Sequence, residues 1–590
     1  MAGSSRVLQY AQKSQAPRRP IARPHEPTQI YFEGCFGWFH PGSTARGVIL
    51  CSPIGPESDY IHRIWGEFAN RLAAAGVSVL RFDYRGTRDS QEAADASRPV
   101  AAWVESVKAA RRWMTAEAGV EDVALCGLRF GAAMALACAE ELKDIERIVL
   151  LAPVGSGATY CRELAMLARV AHAEARLPDH VAIDDGGLGL APEIMSDIRG
   201  LELAVGDVPA IRKALVIARP SAAGERKLTE RLKAQGGEVE EQAFDDYATL
   251  MISPEFSAYP EATFGRVVDW LRPEVASERA RVPAHVNSHL KVSGGQETPV
   301  SLRDNAPLHG VFCKPRTPGP DRPAALLLNT GAINYAGMNG LWVGMARRLA
   351  QSGVASLRFD ISGFGDSPAR PGQLDPFINM AEALGDVDTA MEWLRAQGHT
   401  RIILIGFCWG AQLACNIAQV DDRVSAMMLV NPRRLFWDLE TPPLEPVVGL
   451  KGYMRLAREP ARWRAFMHGD IPIKKLAKVP MRLVRKAFED GAARAEGRET
   501  QQELAARKLR GIAQRGVDAF VVQGQDDPFL AEFEDYFGVP RTALPALFGM
   551  DMQFPHGVDH LFRTAKVRAD LADVIAQRLS THRPSIAVSA

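Results

Sequence analysis

Residues 401–411, Arg-Ile-Ile-Leu-Ile-Gly-Phe-Cys-Trp-Gly-Ala, place a cysteine where a strand turns abruptly into a helix. Ile402 to Ile405 are a short apolar run of strand type, and Ala411 to Ala418 read as helix. Gly406 and Gly410 flank Cys408 at i−2 and i+2. This is the pattern of a nucleophile elbow, G-x-S-x-G, with Cys in the place of Ser. Glycines are needed there because strand and helix pack closely on either side of one strained residue. The turn also sets the sulfur at a helix N-terminus, which favours the thiolate. The plainer alternative is a buried core cysteine, but strand, both glycines and helix agree on the nucleophile.

The same signature occurs earlier with its chemistry removed. Val123 to Cys126 is a strand, followed by Gly127-Leu128-Arg129-Phe130-Gly131-Ala132. Arg129 stands at the nucleophile position, and a guanidinium neither loses its proton in a protein nor attacks a carbonyl.

The two elbows belong to an internal repeat. Arg71-Leu-Ala-Ala-Ala-Gly-Val-Ser-Val-Leu-Arg-Phe-Asp83 matches Arg348-Leu-Ala-Gln-Ser-Gly-Val-Ala-Ser-Leu-Arg-Phe-Asp360 at nine of 13 positions, at an offset of 277. Arg129 and Cys408 differ by 279, as do Pro153 of Leu-Ala-Pro and Pro432 of Val-Asn-Pro. Two copies of one domain in tandem is the economical reading. A chain of 590 residues also exceeds what one core holds.

Composition narrows the function classes. Hydrophobic residues make up 47% and charged residues 24%, as in ordinary globular proteins. Lys+Arg and Asp+Glu both total 70, so bulk charge gives no sign of nucleic acid as a partner. No apolar run has the length of a transmembrane segment. Residues 1–28 are basic and proline-containing, lack an apolar core, and read as a flexible tail rather than a signal peptide. The eight cysteines have no paired spacing, so neither a metal nor a cofactor is expected, and a cytoplasmic location is the default.

Strands alternate with helices in each half, which argues for mainly parallel sheets covered on both faces. In the second half the expected strands are 324–329, 355–360, 401–405, 424–430, 519–523 and about 546–554, with helices at 341–351, 380–396 and 411–419. The first half has corresponding strands at 47–51, 78–83, 122–126, 147–151 and 214–218. The reading is thus a first domain over 29–273, a linker over 274–295 and a second domain over 296–582. The fold class is α/β: two tandem α/β-hydrolase domains, each a mainly parallel sheet flanked by helices, the second with a helical cap over about 433–510.

Both halves resemble the α/β-hydrolase superfamily. More narrowly, Gly-Leu-Arg-Phe-Gly in the first half and Gly-Phe-Cys-Trp-Gly in the second resemble a pair of hydrolase-like proteins encoded beside exosortase systems, one with Arg at its elbow and one with Cys. The Cys elbow is also similar to dienelactone hydrolases and polyhydroxyalkanoate synthases, which usually have a further glycine where this chain has Ala411.

The superfamily resemblance implies a triad in the order nucleophile, acid, His. After the strand 519–523 comes Gly524-Gln525-Asp526-Asp527-Pro528, where Asp527 is the expected acid and Asp526 the alternative; the bland reading is a turn before proline. Phe554-Pro555-His556-Gly557-Val558-Asp559-His560-Leu561-Phe562 resembles the catalytic-His loop and points to His560, with His556 as the alternative. The oxyanion hole is expected from the backbone N–H of Trp409 and that of Ala332, in the loop after strand 324–329.

The first half lacks each of these parts. Arg219-Pro220-Ser221 follows its late strand, and Phe244-Asp245-Asp246-Tyr247-Ala248 stands where the His loop would be. It is either a structural partner for the second domain or, through Arg129, an anion clamp. Residues 433–486 hold 13 Lys/Arg against five Asp/Glu, interleaved with Trp463, Phe466 and Leu476. That is either a solvated face or an attraction for coenzyme A phosphates, a carrier protein, an anionic glycan or a membrane surface. The functional expectation is acyl transfer through a thioester on Cys408, as thioesterase, esterase or acyltransferase. The rival is a non-catalytic scaffold or anion-binding protein.

Overall fold

The computed structural model describes residues 26–92, 98–175, 192–201, 211–220, 222–252, 254, 257–273, 289–318, 323–331, 333–371, 373, 380–436, 497, 499–537 and 550–581. The expected tail (1–25), most of the linker (274–288), Ala332 and most of the cap (437–496) lie outside these residues.

The first sheet has eight strands: β1 (Thr28–Phe32), β2 (Cys35–His40), β3 (Arg46–Cys51), β4 (Ser78–Phe82), β5 (Asp122–Leu128), β6 (Arg147–Leu151), β7 (Lys213–Ala218) and β8 (Glu238–Ala243). Their spatial order is β1-β2-β4-β3-β5-β6-β7-β8, antiparallel at β1-β2-β4 and parallel from there on. The second sheet contains β9 (Leu290–Val292), β10 (Gly295–Ser301), β11 (His309–Pro315), β12 (Ala324–Leu328), β13 (Ser356–Phe359), β14 (Ile402–Phe407), β15 (Val424–Val430), β16 (Asp518–Val522) and β17 (Asp551–Gln553). Reversed, its order from β10 to β17 is that of the first sheet, so the sequence repeat is a repeat of topology.

Alternation along each parallel strand sorts the core into two layers. On β14, Ile402 and Leu404 enter one apolar cluster while Ile403, Ile405 and Phe407 enter the other. On β3, Ile49 and Cys51 face one side and Val48 and Leu50 the other. Strands buried on both faces must be apolar throughout, which is why these runs are legible.

Two departures from the sequence reading concern polar or edge segments. Residues 290–292, expected in the linker, form β9 and pair with β10. The edge strand β8, Glu-Val-Glu-Glu-Gln-Ala, is half exposed and lacks the apolar signature of a strand. Residues 501–510, the end of the expected helical cap, lie in the helix Gln501–Gln514, whose Thr500 and Glu503 form a capping box.

The two halves meet through reciprocal ion pairs. Arg81 of β4 donates to Asp366 at 2.6 Å, and Arg358 of β13 donates to Asp89 at 2.6 Å. Both arginines and both aspartates are separated by 277, so the contact is that of a twofold pair within one chain. Arg358 is fully buried and also bonds Glu297, which Arg347 holds from its other oxygen. Beside it Tyr31, Phe36, Trp38 and Leu290 form a small apolar cluster, and Trp38 meets His309 edge-on at 4.8 Å.

Candidate active site

Both elbows adopt the strained backbone that the motif requires. Cys408 has φ 53° and ψ −107°, and Arg129 has φ 56° and ψ −119°. A Cβ added to Gly406 would lie 2.3 Å from Gly410 O, and one added to Gly410 would lie 2.2 Å from Leu328 O. Only glycine lets strand, helix and neighbouring strand approach this closely. Cys408 caps the helix Trp409–Ala418, with no side chain capping its N-terminus.

All eight cysteines are free thiols, and seven are buried. Cys408 is the exception. Burial pushes the other thiols up, as with Cys35 at about 11, whereas Cys408 is held below the ordinary thiol value. Burial opposes that shift at Cys408 as well. It is outweighed by the His560 ring, which hydrogen-bonds the sulfur, by a hydrogen bond from Thr330, and by the Arg433 charge.

His560 receives its partner from the loop after β16. Asp527 Oδ2 lies 3.0 Å from His560 Nδ1, and both side chains are largely buried. Burial pulls the imidazole down, but Asp527 and the sulfur raise it to about 10. A raised imidazole beside a lowered thiol favours the thiolate–imidazolium pair. Asp527 is fixed in turn: Gln523 Nε2 donates to its Oδ2 at 2.8 Å and Phe529 N to its Oδ1 at 2.8 Å. Phe529 packs edge-on against the His560 ring, centroids 4.7 Å apart.

The alternatives separate cleanly. Asp526 does not face the imidazole; its Oδ2 accepts from Gly557 N at 2.7 Å and ties down the His loop. His556 is exposed. Trp409 follows the sulfur as the first helical residue, while Ala332 lies outside the described residues. A recess of ≈ 20 Å³, enough for a water molecule, opens between Trp409, Leu413, Gly331 and Ile333.

Asn431 is a residue that sequence reasoning passed over. Its Nδ2 donates to Asp559 O at 2.9 Å and His560 O at 3.2 Å, and its Oδ1 accepts from Gly524 N at 2.8 Å. One fully buried amide thus joins the acid loop to the His loop. A signal for it existed. The repeat places Asn431 opposite Ala152, both in left-handed backbone at φ 41° and 43°, and only the Cys-bearing half has the amide.

The first elbow corrects one expectation. Arg129 is buried, and its guanidinium is committed to carboxylates: Nε donates to Glu57 at 3.0 Å and Nη2 to Glu163 at 2.6 Å. Tyr160 donates to the other Glu57 oxygen at 2.7 Å, and Arg219 holds Glu163 from its far side at 3.2 Å. An incoming anion would have to displace two carboxylates, so the clamp reading of Arg129 fails on geometry. The position of a nucleophile has become a buried ion-pair cluster.

Among the described residues there is no group of His, Cys, Asp and Glu that could hold a metal ion, and no helix is long and apolar enough to cross a membrane.

Comparisons with known proteins agree with the architecture. Residues 58–214 match a family model described as serine aminopeptidase, S33, and residues 325–534 match one described as alpha/beta hydrolase fold. The chain therefore carries α/β-hydrolase folds in two tandem regions, as the repeat predicted. No curated protein matches its sequence. Among solved structures, a mutant of the esterase E40 is 18% identical over 45% of this chain and 97% of its own, with TM-score 0.32. An esterase of Pyrococcus furiosus is 14% identical over 48% of this chain and 88% of its own, with TM-score 0.30. A lidless serine hydrolase of Xanthomonas campestris is 15% identical over 43% of this chain and 94% of its own, with TM-score 0.28.

Proposed function

We propose that the second domain transfers acyl groups through a thioester on Cys408, with His560 and Asp527 completing a triad. An α/β-hydrolase fold supports ester chemistry in general. The observation that carries the finer reading is the convergence at one sulfur. The single cysteine that is not buried sits in a strained elbow and shares an imidazole with a buried carboxylate.

In this mechanism the Cys408 thiolate attacks the carbonyl carbon of an ester or acyl-thioester. The carbonyl oxygen becomes an oxyanion facing the Trp409 N–H at the helix N-terminus. His560 gives its proton to the departing alkoxide or thiolate, leaving an acyl-cysteine. Water, an alcohol or an amine then loses a proton to His560 as it attacks the thioester, which regenerates the thiolate. Asp527 keeps Nδ1 protonated and steadies the imidazolium throughout.

Water as acceptor gives an esterase or thioesterase, and an alcohol or amine gives an acyltransferase. A donor bound to coenzyme A or a carrier protein would suit the basic stretch that begins at Arg433. The Arg-elbow and Cys-elbow resemblance to exosortase-associated hydrolases points to acyl products of surface-polymer assembly. The first domain is a non-catalytic partner, a role favoured by the ion-pair cluster that fills its elbow.

The test is pre-steady-state release of p-nitrophenol from p-nitrophenyl butyrate. Expected is a burst equal to the enzyme concentration that vanishes in Cys408→Ala. A burst surviving that change, or none with any activated ester or acyl-CoA, would overturn the reading.

A further inference from the structure

The loop between β12 and the helix Leu341–Gln351 runs beside the elbow: Asn329, Gly331 and Ile333 line one recess with Trp409, and Thr330 helps to lower the Cys408 thiol. Inside the loop, Asn329 Nδ2 donates to Ile333 O at 2.6 Å and also to Asn334 O. Backbone bonds such as Trp342 N to Ala336 O at 3.0 Å brace it as well, and further fastenings come from the other domain.

They are two residues three apart on the helix Pro56–Ala74, so they project from one face. His62 Nε2 lies 3.1 Å from the Asn334 side-chain amide and 3.0 Å from Asp366 Oδ2. Asp59 Oδ2 accepts from Asn339 N at 2.9 Å. Both are themselves fixed. Arg88 binds Asp59 and lies 3.3 Å from His62 Nδ1. A guanidinium only donates and a carboxylate only accepts, so Nδ1 is the acceptor and Nε2–H points to Asp366; the Asn334 side chain then meets this N–H through its amide oxygen, which otherwise has no partner. Arg81 holds the other oxygen of Asp366 at 2.6 Å. The contacts are buried or nearly so, and a polar group left without its partner there is costly.

We propose that His62, assisted by Asp59, is a positioning residue for the reaction at Cys408: the domain without a triad sets the loop that the other domain presents to the substrate carbonyl. Neither residue touches substrate. They hold residues 334 and 339, and so fix where Thr330 and Gly331 sit beside the elbow. This gives the first domain a function that its own elbow cannot perform, and it rests on the acyl-transfer reading above.

The test uses the full chain with p-nitrophenyl butyrate for turnover and iodoacetamide for the thiolate. A misplaced loop weakens stabilisation of the oxyanion while leaving the Cys408–His560–Asp527 relay intact. In His62→Ala, kcat should fall about tenfold or more, with KM within about threefold and the alkylation rate at pH 8 within about twofold. Asn334→Ala, made on the other side of the contact, should show the same split. His62→Gln, whose amide N–H stands where Nε2–H stood, should recover most of the lost kcat.

Unchanged kcat in both alanine variants would overturn the proposal. Parallel loss of kcat, alkylation and the thermal transition, unrelieved by Gln, would also overturn it by showing a merely structural contact. A wild-type protein with no turnover fails the acyl-transfer reading and takes this proposal with it. Wild-type turnover with undiminished variants fails this proposal alone.

Discussion

Asn431→Ala isolates the joint between the acid and His loops. The change removes three hydrogen bonds from a fully buried amide and leaves Gly524 N–H and Asp559 C=O without those partners. Each buried polar group stranded in this way costs about 1–3 kcal/mol, so a loss of about 4 kcal/mol is expected. Backbone strain is not the deciding term, because Ala152 occupies the equivalent place in the first domain at φ 43°. The expected readouts are a lower urea midpoint for unfolding followed by circular dichroism, and kcat reduced at least about tenfold by the freed loops. Asn431→Asp is the sharper control. It still accepts from Gly524 N but turns a carboxylate oxygen toward two carbonyls, so it should be no better than Ala. A loss below about 1 kcal/mol in both variants, with normal kcat, would refute the reasoning.

Asp527→Asn removes the charge that raises His560; the rate of Cys408 alkylation at pH 6.5 should fall about tenfold or more and its pH profile should move upward. An unchanged profile would separate Asp527 from the thiolate. Arg129→Ala leaves Glu57 buried without its cation and should cost about 3–5 kcal/mol, read as a lower thermal midpoint, while Arg129→Met with Glu57→Gln should recover most of it. Asp83 is raised to about 7, chiefly by burial and further by Asp89, against the pull of Arg88. Its folded value exceeds the unfolded one, so its contribution is present at acid pH and is lost as pH rises through about 7. The thermal midpoint should therefore decline less between pH 5 and 8 in Asp83→Asn than in the wild type; an identical decline would remove Asp83 as the cause.

What the sequence made legible was whatever depends on neighbours along the chain. The elbow at Cys408 is written in 11 consecutive residues, and both its glycines are there because a Cβ would strike backbone. The strands buried on two faces read as apolar runs, and the repeat doubled every such signal. Polar edges did not read this way: β8 and β9 lack the apolar pattern because solvent or a partner strand, not a core, covers them. The partners of Arg129 also escaped notice, since Glu57 lies 72 residues before it. Asn431 was missed for a similar reason, and so was the side chain of Thr330, although Thr330 lies in the loop expected to give the oxyanion hole. Their roles come from contacts with Gly524, His560 and Cys408, which only the folded sheet brings near.

The central claim is a covalent intermediate on one sulfur. Intact-mass measurement after brief exposure to an acyl-CoA or activated ester, followed by peptide mapping, tests it most directly. The account predicts a single acyl adduct on Cys408, released by neutral hydroxylamine as a thioester is, and absent in Cys408→Ala. An adduct on another residue, or turnover with Cys408 never acylated, would contradict it.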